Sequence, residues 1–337
     1  MTRLPQDSPL YLALRRLLAS AGDLPPAGEA TRQSLPSSRE VCRFTFSGNG
    51  AAVVGKFSSA YPAAAPADKG LAREYGNYLR AADLGLTDGS VRIPRLLGRQ
   101  PDLRLGLLLG AVSGPDLDCL IRGACEHGEM PGLRRGLESL AELFAFFHSR
   151  ALSEAAVSGL EALRYLDKLM QQLQGVGLLT ADDQAALAAE RSYWEIRLAQ
   201  FSDRQVLVHG DATPTNFLFP DHGGPPPRGR AVALDLERLR FADRLWDLSW
   251  VAGELRHAWA WRTGNAAAAE EIIGLFFSAY LSVSPEGSSL AERLYLLNPL
   301  YMALAELRIA RNTYLSWDYR RWLVGEARRC LNFGRRL

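Results

Sequence analysis

VLVHGDATPTNFLF, residues 206–219, and AVALDLE, residues 231–237, decide how the rest of this chain is read. An apolar strand runs into His209-Gly210-Asp211, and Asn216 follows five residues after the aspartate. A second apolar strand comes next, then a Gly/Pro-rich turn, then a strand that ends in Asp235. Chemistry tends to sit on loops at strand ends, because a rigid scaffold aims polar groups there without burying them. Phosphoryl transfer needs a carboxylate to orient an attacking hydroxyl and take its proton, together with oxygen ligands for magnesium. Magnesium keeps several waters and takes few protein oxygens, so one Asp, one Asn and a second Asp are enough. As a bland reading, Asp211 is a turn residue, since aspartate is common after strands.

Upstream, residues 8–21 read as a helix, with Ser8 as N-cap and Pro9 in the first turn. Residues 22–38 are rich in Pro, Gly and Ser and read as loop. VCRFTF (41–46) and AAVVGKF (51–57) flank a Gly-Asn-Gly turn and read as a β-hairpin. An Ala/Pro-rich loop over 58–70 precedes a helix over 71–84, and 91–99 and 103–112 read as two further strands. Beyond Gly114 the periodicity is helical over 133–150, 158–174 and 181–201. The last of these opens on a Thr180–Asp183 capping box. From Asp247 onward the chain is again mostly helical. The expected class is α+β: a small N-terminal lobe with an antiparallel sheet over 1–112, then a larger, mainly helical lobe over 113–337.

Composition closes off several function classes. The 337 residues are 47% hydrophobic and 23% charged, ordinary values for a globular chain able to bury a large core. A net charge of +2 argues against a dedicated nucleic-acid binder. No uninterrupted apolar run reaches membrane-span length, and MTRLPQDSPL has no signal-peptide pattern, so a cytoplasmic location is expected. Cys42, Cys119, Cys125 and Cys330 form no CxxC pair, which points to reduced thiols rather than a zinc site or disulfide framework. Only three lysines (Lys56, Lys69, Lys168) stand beside 36 arginines, so a lysine kept at a strand end carries weight.

The D-x-x-x-x-N spacing is that of the protein-kinase catalytic loop. HGDATPTN resembles, more closely, the H-G-D-x-x-x-x-N loop of the aminoglycoside phosphotransferase and choline kinase family, which has a two-lobed protein-kinase-like fold. ALDLE resembles that family's metal-binding strand, and FADRLWDLSW (241–250) its following helix start. The resemblance implies that Asp211 is the catalytic base, that Asn216 and Asp235 bind magnesium, and that Asp247 braces the loop. It extends upstream to AAVVGKF, where Lys56 matches the phosphate-binding lysine, and to LAREYGNYL, where Glu74 matches its acidic partner. LLLGAVSGPDL (107–117) resembles the hinge whose backbone holds adenine, here at Leu109 and Ala111. AELFAFFHSRAL places His148 at its usual position in the helix beneath the loop. The implied function is an ATP- and magnesium-dependent kinase acting on the hydroxyl of a small molecule, with GTP in place of ATP left open. The alternative is a catalytically silent nucleotide-binding regulator on the same scaffold.

The chain departs from that pattern where a glycine-rich nucleotide loop would stand, for SLPSSRE (34–40) occupies the place. Ser37 and Ser38, with their backbone amides, are the candidates to cover the phosphates. Glu237, two residues after Asp235, either assists the metal or holds an arginine. His209 reads as a structural residue that fixes the loop, and Asp247 as an acceptor of backbone N–H groups at a helix N-terminus. A metallohydrolase built on His209, Asp211, Asp235 and His222 lacks any HxH or HExxH motif. Trp246, Trp250, Trp259 and Trp261 read as core, with an aromatic cage for a quaternary ammonium as the sharper alternative, and Trp317, Tyr319 and Trp322 invite the same two readings. Residues 305–337 hold eight arginines against three acids, which reads as a solvated basic face that would repel a polycationic acceptor.

Overall fold

The computed structural model describes residues 1–22, 28–37, 39–48, 50–58, 69–87, 92–220 and 230–337. Ser38, His222 and the GGPPPRG turn therefore lie outside the described residues. Two compact units are present: Met1–Gly114 together with Val232–Arg238, and Pro115–Ala231 together with Leu239–Leu337.

The first unit carries β1 (Thr2–Leu4), α1 (Pro9–Ser20), β2 (Ala30–Leu35), β3 (Glu40–Phe46), β4 (Ala52–Phe57), α2 (Lys69–Asp83), β5 (Leu96–Gln100) and β6 (Leu105–Gly110). Its six-stranded sheet runs β1-β2-β3-β4-β6-β5, every neighbouring pair antiparallel. Period-two alternation sends Cys42, Phe44, Phe46, Val53 and Phe57 to one face, where Tyr11, Leu14 and Leu18 of α1 close the core. Gly55 sits among them because a Cβ there would stand 2.9 Å from Leu105 and 3.2 Å from Phe57. The intervening residues, Lys56 among them, face the other way. Ser8 caps α1 as expected, its Oγ accepting the Tyr11 N–H at 3.2 Å.

Residues 30–35 are a strand, not loop. Only Ala30 of β2 is buried, so no alternation marks it; the pairing with β3 from Ala30↔Phe46 to Leu35↔Val41 makes it a strand. The SLPSSRE segment thereby ends β2 and turns into β3. The strip Val232–Arg238 packs with the first unit rather than continuing the C-terminal one. Asn77 of α2 pins it, donating from Nδ2 to the carbonyls of Leu236 (2.7 Å) and Glu237 (3.3 Å).

The second unit holds α3 (Leu117–His127), α4 (Met130–Arg150), β7 (Leu152–Ala156), α5 (Gly159–Gly175), α6 (Ala181–Ala199), β8 (Arg204–Val208) and β9 (Phe217–Leu218). The short β10 (Val232–Ala233) belongs to the first unit, after which β11 (Arg240–Ala242), α7 (Leu245–Thr263), α8 (Glu270–Val283), α9 (Gly287–Ile309) and α10 (Trp317–Arg336) complete the second. β11, β8 and β7 form a three-stranded antiparallel sheet in that order. The Thr180–Asp183 capping box at the start of α6 is complete, both reciprocal bonds being made. The stretch Ala266–Val283 departs from the expectation of no span-length segment. Its 18 residues have a mean hydropathy of 1.4, enough by length and composition to cross a membrane, although Glu270 and Glu271 interrupt the apolar run. In the fold it is a 3-10 turn and α8, with Ile272, Ile273, Phe276 and Tyr280 buried.

Trp246, Trp250 and Trp259 are core, at 4–6% exposure, whereas Trp261 is half-exposed and meets the Tyr319 ring edge-on at 4.7 Å. The C-terminal arginines are not a bare basic face. Arg321 and Arg328 bind Asp183, Arg328 also reaches Asp182, and Arg329 binds Glu326. A net count along the sequence misses these partners, because most of them come from α6.

Candidate active site

In the first unit the site starts from two periodicities. Leu71, Glu74, Tyr78 and Ala81 form the buried stripe of α2, at helical spacing. That stripe brings Glu74, 1% exposed, to Lys56 on β4, with Nζ–Oε1 at 2.7 Å. Lys56 also reaches Asp235 Oδ1 at 3.3 Å. Burial pushes the Glu74 carboxyl up to about 7, and Lys56 only partly offsets this. Asp235 holds a left-handed conformation, φ 55°, which a non-glycine residue seldom adopts. The chain then coils into a 3-10 turn over Leu236–Arg238 instead of running on extended. Glu237 pairs with Arg39 at 3.2 Å, the contact its arginine-holding reading expects.

The two expected adenine contacts, Leu109 and Ala111, lie at the end of β6. The Ala111 N–H already donates to the Ala52 carbonyl at 3.1 Å, and the Gly110 N–H to that of Arg95 at 2.9 Å. Leu109 lies inside the sheet, opposite Val54 on one side and Leu96 on the other. Ser37 is exposed, and its Oγ accepts the Arg39 N–H at 3.3 Å, closing the turn between β2 and β3.

In the second unit the His209–Phe217 loop is held at both ends. Asp247, in the first turn of α7, accepts the N–H of His209 (2.8 Å) and of Gly210 (2.9 Å). Gly210 has φ 76°, a conformation glycine adopts without penalty. Asp247 thus braces the loop; Arg244 is the N-cap of α7, without a side-chain cap bond, and the preceding Asp243 accepts the Leu245 N–H on Oδ1 at 3.0 Å. Asn216 Nδ2 donates to the Asp211 carbonyl at 2.9 Å, so the five-residue spacing closes a compact turn. His209 is fully buried, its ring packs on Phe217, and its Nδ1 accepts the Asp211 N–H at 3.3 Å.

Behind the loop, His148 Nε2 meets Asp247 at 3.3 Å and Nδ1 meets Tyr280 Oη at 2.8 Å. A carboxylate only accepts, so Nε2 carries the proton and the tyrosine donates to Nδ1. Burial lowers the His148 pKa, which keeps the ring neutral. Burial opposes ionisation of Asp247, but the bonds from His148 and the Gly210 amide outweigh it and hold the carboxyl below the usual range. Asp243 is locked likewise by Arg293 (2.9 and 2.6 Å) and Tyr301 (2.6 Å).

The sequence reading missed Arg308 and Glu254. Arg308 Nη2 lies 2.8 Å from Asp211 Oδ1, and its Nη1 lies 3.1 Å from Glu254 Oε1. Burial pushes the Glu254 carboxyl up to about 7, against the pull of Arg308. The one available signal was a charged pair, Glu306 and Arg308, inside the otherwise apolar run YMALAELRIA.

In the second unit Asn216 spends its Nδ2 on the loop, which leaves its amide oxygen as a donor, and in the first unit Asp235 carries a part-exposed carboxylate. Each is a hard oxygen of the kind magnesium takes. Among the described residues no three His, Cys, Asp or Glu side chains are grouped to hold a metal, and His222 of the hydrolase reading lies outside them.

The fold and this loop define a phosphotransferase of the kinase-like type. The chain belongs to the phosphotransferase enzyme family (APH), whose model matches residues 33–285. Its fold is similar to that of a Plasmodium vivax ethanolamine kinase, with a TM-score of 0.57 and 10% identity over 96% of this chain and 87% of that one. Aminoglycoside phosphotransferase APH(2'')-Ib with ADP bound gives 0.55 and 14%, over 96% and 97% of the two chains. A glucosamine kinase gives 0.52 and 16%, over 95% and 80%. No curated protein sequence matches the chain.

Proposed function

We propose that this protein is a magnesium- and ATP-dependent kinase that phosphorylates a hydroxyl group of a small molecule. The observation that carries the reading is the loop itself: Asp211 stands on a turn whose amides are fixed by Asp247 and whose carbonyl is fixed by Asn216. Asp211 orients the acceptor hydroxyl and takes its proton. The acceptor oxygen bonds the γ-phosphorus, the bond to the β–γ bridging oxygen breaks, and ADP leaves. Asn216 and Asp235 would hold magnesium, which when bound would offset charge on the phosphate oxygens. Lys56, held by Glu74, adds a second positive charge toward the nucleotide. Such a site works through positioning and electrostatics, with little covalent chemistry for the protein to do.

Similar folds solved with ADP or GDP support nucleotide use, and the ethanolamine, glucosamine and aminoglycoside enzymes support a small hydroxylated acceptor. The test is ADP release by the purified protein with magnesium and ATP, run against a panel of hydroxyl compounds: sugars, amino alcohols, choline-like cations and aminoglycosides. The expected result is release that needs both an acceptor and magnesium, stops with a chelator, and yields a phosphomonoester. Tight ATP binding without transfer to any acceptor would contradict the proposal.

A further inference from the structure

We propose that Arg308 is a positioning residue for Asp211, tying one carboxylate oxygen so that the other faces the acceptor hydroxyl. The inference rests on the reading of Asp211 as the base. Arg308 lies outside the matched stretch 33–285, so the family match does not assign it.

Arg308 occupies the last turn of α9, among Leu304, Ala305, Leu307 and Ile309, all of them buried. Its side chain is 16% exposed. An exposed ion pair contributes little, because two long side chains must be ordered in water. This pair is different in kind. Trp250 and Glu254 stand four residues apart, on one face of α7. The guanidinium lies 5.5 Å from the Trp250 ring centroid while Nη1 binds Glu254. A guanidinium is a rigid planar fork, so fixing Nη1 and the plane also fixes the direction of Nη2. That direction is Asp211 Oδ1, at 2.8 Å.

The division of labour follows. Asp247 and Asn216 hold the backbone on either side of Asp211 and so place its Cα. Backbone bonds do not set the side-chain torsions of the carboxylate; the bond from Arg308 constrains them at Oδ1. A base must come within about 2.6–3.2 Å of the proton it takes. Misplacement of a reacting group by about 1 Å costs on the order of a hundredfold in rate.

A double-mutant cycle tests this, with MgATP and the acceptor selected by the panel, and with water as acceptor in the slow hydrolysis of MgATP. Arg308→Gln is expected to lower kcat by about ten- to a hundredfold while leaving the KM for ATP within about twofold. Arg308→Lys, which keeps the charge without the fork, should recover part of the loss. In an Asp211→Asn background, removal of Arg308 should cost less than about threefold, since the carboxylate it orients is already gone. If Arg308→Gln does not fold, Glu254→Gln, which frees Nη1, should lower kcat by a smaller factor in the same direction. An unchanged kcat, or an equal loss in both backgrounds, would overturn the inference. Wild-type turnover by Asp211→Asn alone would overturn both the inference and the reading beneath it.

Discussion

Glu74 in the first unit and Asp247 in the second are both buried carboxyls, at 1% and 0% exposure, yet they are held in opposite states. Burial pushes Glu74 up to about 7, with one ammonium, shared with Asp235, as its partner. Burial also works against Asp247, but an imidazole N–H and two backbone amides converge on it and hold it ionised. Burial alone therefore does not set the charge of a site; the number of N–H donors aimed at the oxygens does. Asp247 is a fixed anion built into the scaffold of the loop. Glu74 is an adjustable partner of Lys56.

The contrast can be broken experimentally. The largest effect belongs to Asp247→Ala, which strands two amides and the His148 N–H in a dry site. It should cost about 3–5 kcal/mol in urea unfolding and abolish transfer. A loss below about 1 kcal/mol would mean that the loop holds itself together without its anchor.

The two carboxyls should also give pH slopes of opposite sign. Glu74 binds its proton more tightly when folded, so it adds no penalty below about pH 4.5, and stability falls between about pH 4.5 and 7. The drop is on the order of 3 kcal/mol if the whole shift is expressed, and Glu254 acts in the same direction. Asp247, with its lowered pKa, stabilises above its unfolded value and loses that contribution as the pH falls below about 4. Glu74→Gln should reduce the slope between about pH 4.5 and 7, measured by urea unfolding, leaving the Glu254 share and the acid limb in place. A mutant profile that overlays the wild type would contradict the assignment.

Lys56→Met is expected to weaken MgATP binding by about ten- to a hundredfold in calorimetry, the range for losing a charge-assisted hydrogen bond. At pH 6 it should barely change stability, because Glu74 then keeps its proton. The smallest effect, about 1 kcal/mol in thermal unfolding, belongs to Thr180→Ala, which removes the α6 cap and touches no partner of either carboxyl.

The parts of the site legible in the sequence are those set by local spacing. Asp211 and Asn216 sit five residues apart because the asparagine bonds the aspartate's own carbonyl. Lys56 and Glu74 follow from the periods of β4 and α2. Contacts made at long range were not legible. β2 carries polar residues on both faces and is a strand only through its partner. Glu237 pairs with Arg39, and Asp235 before it takes a left-handed conformation, which no spacing rule announces for an aspartate. Asp243 and Asp247 look alike in FADRLWD, and their roles separate only through Arg293 and the amides of His209 and Gly210. Arg308 reaches Asp211 across 97 residues, from a helix whose pattern advertises only core.

The most direct measurement compares turnover and MgATP affinity for wild type and Asp211→Ala, once the panel has supplied an acceptor. Loss of a general base alone predicts a fall in kcat of about 10²- to 10⁴-fold, with the nucleotide Kd unchanged within about twofold. Parallel losses in turnover and affinity, or turnover that survives the substitution, would contradict the account.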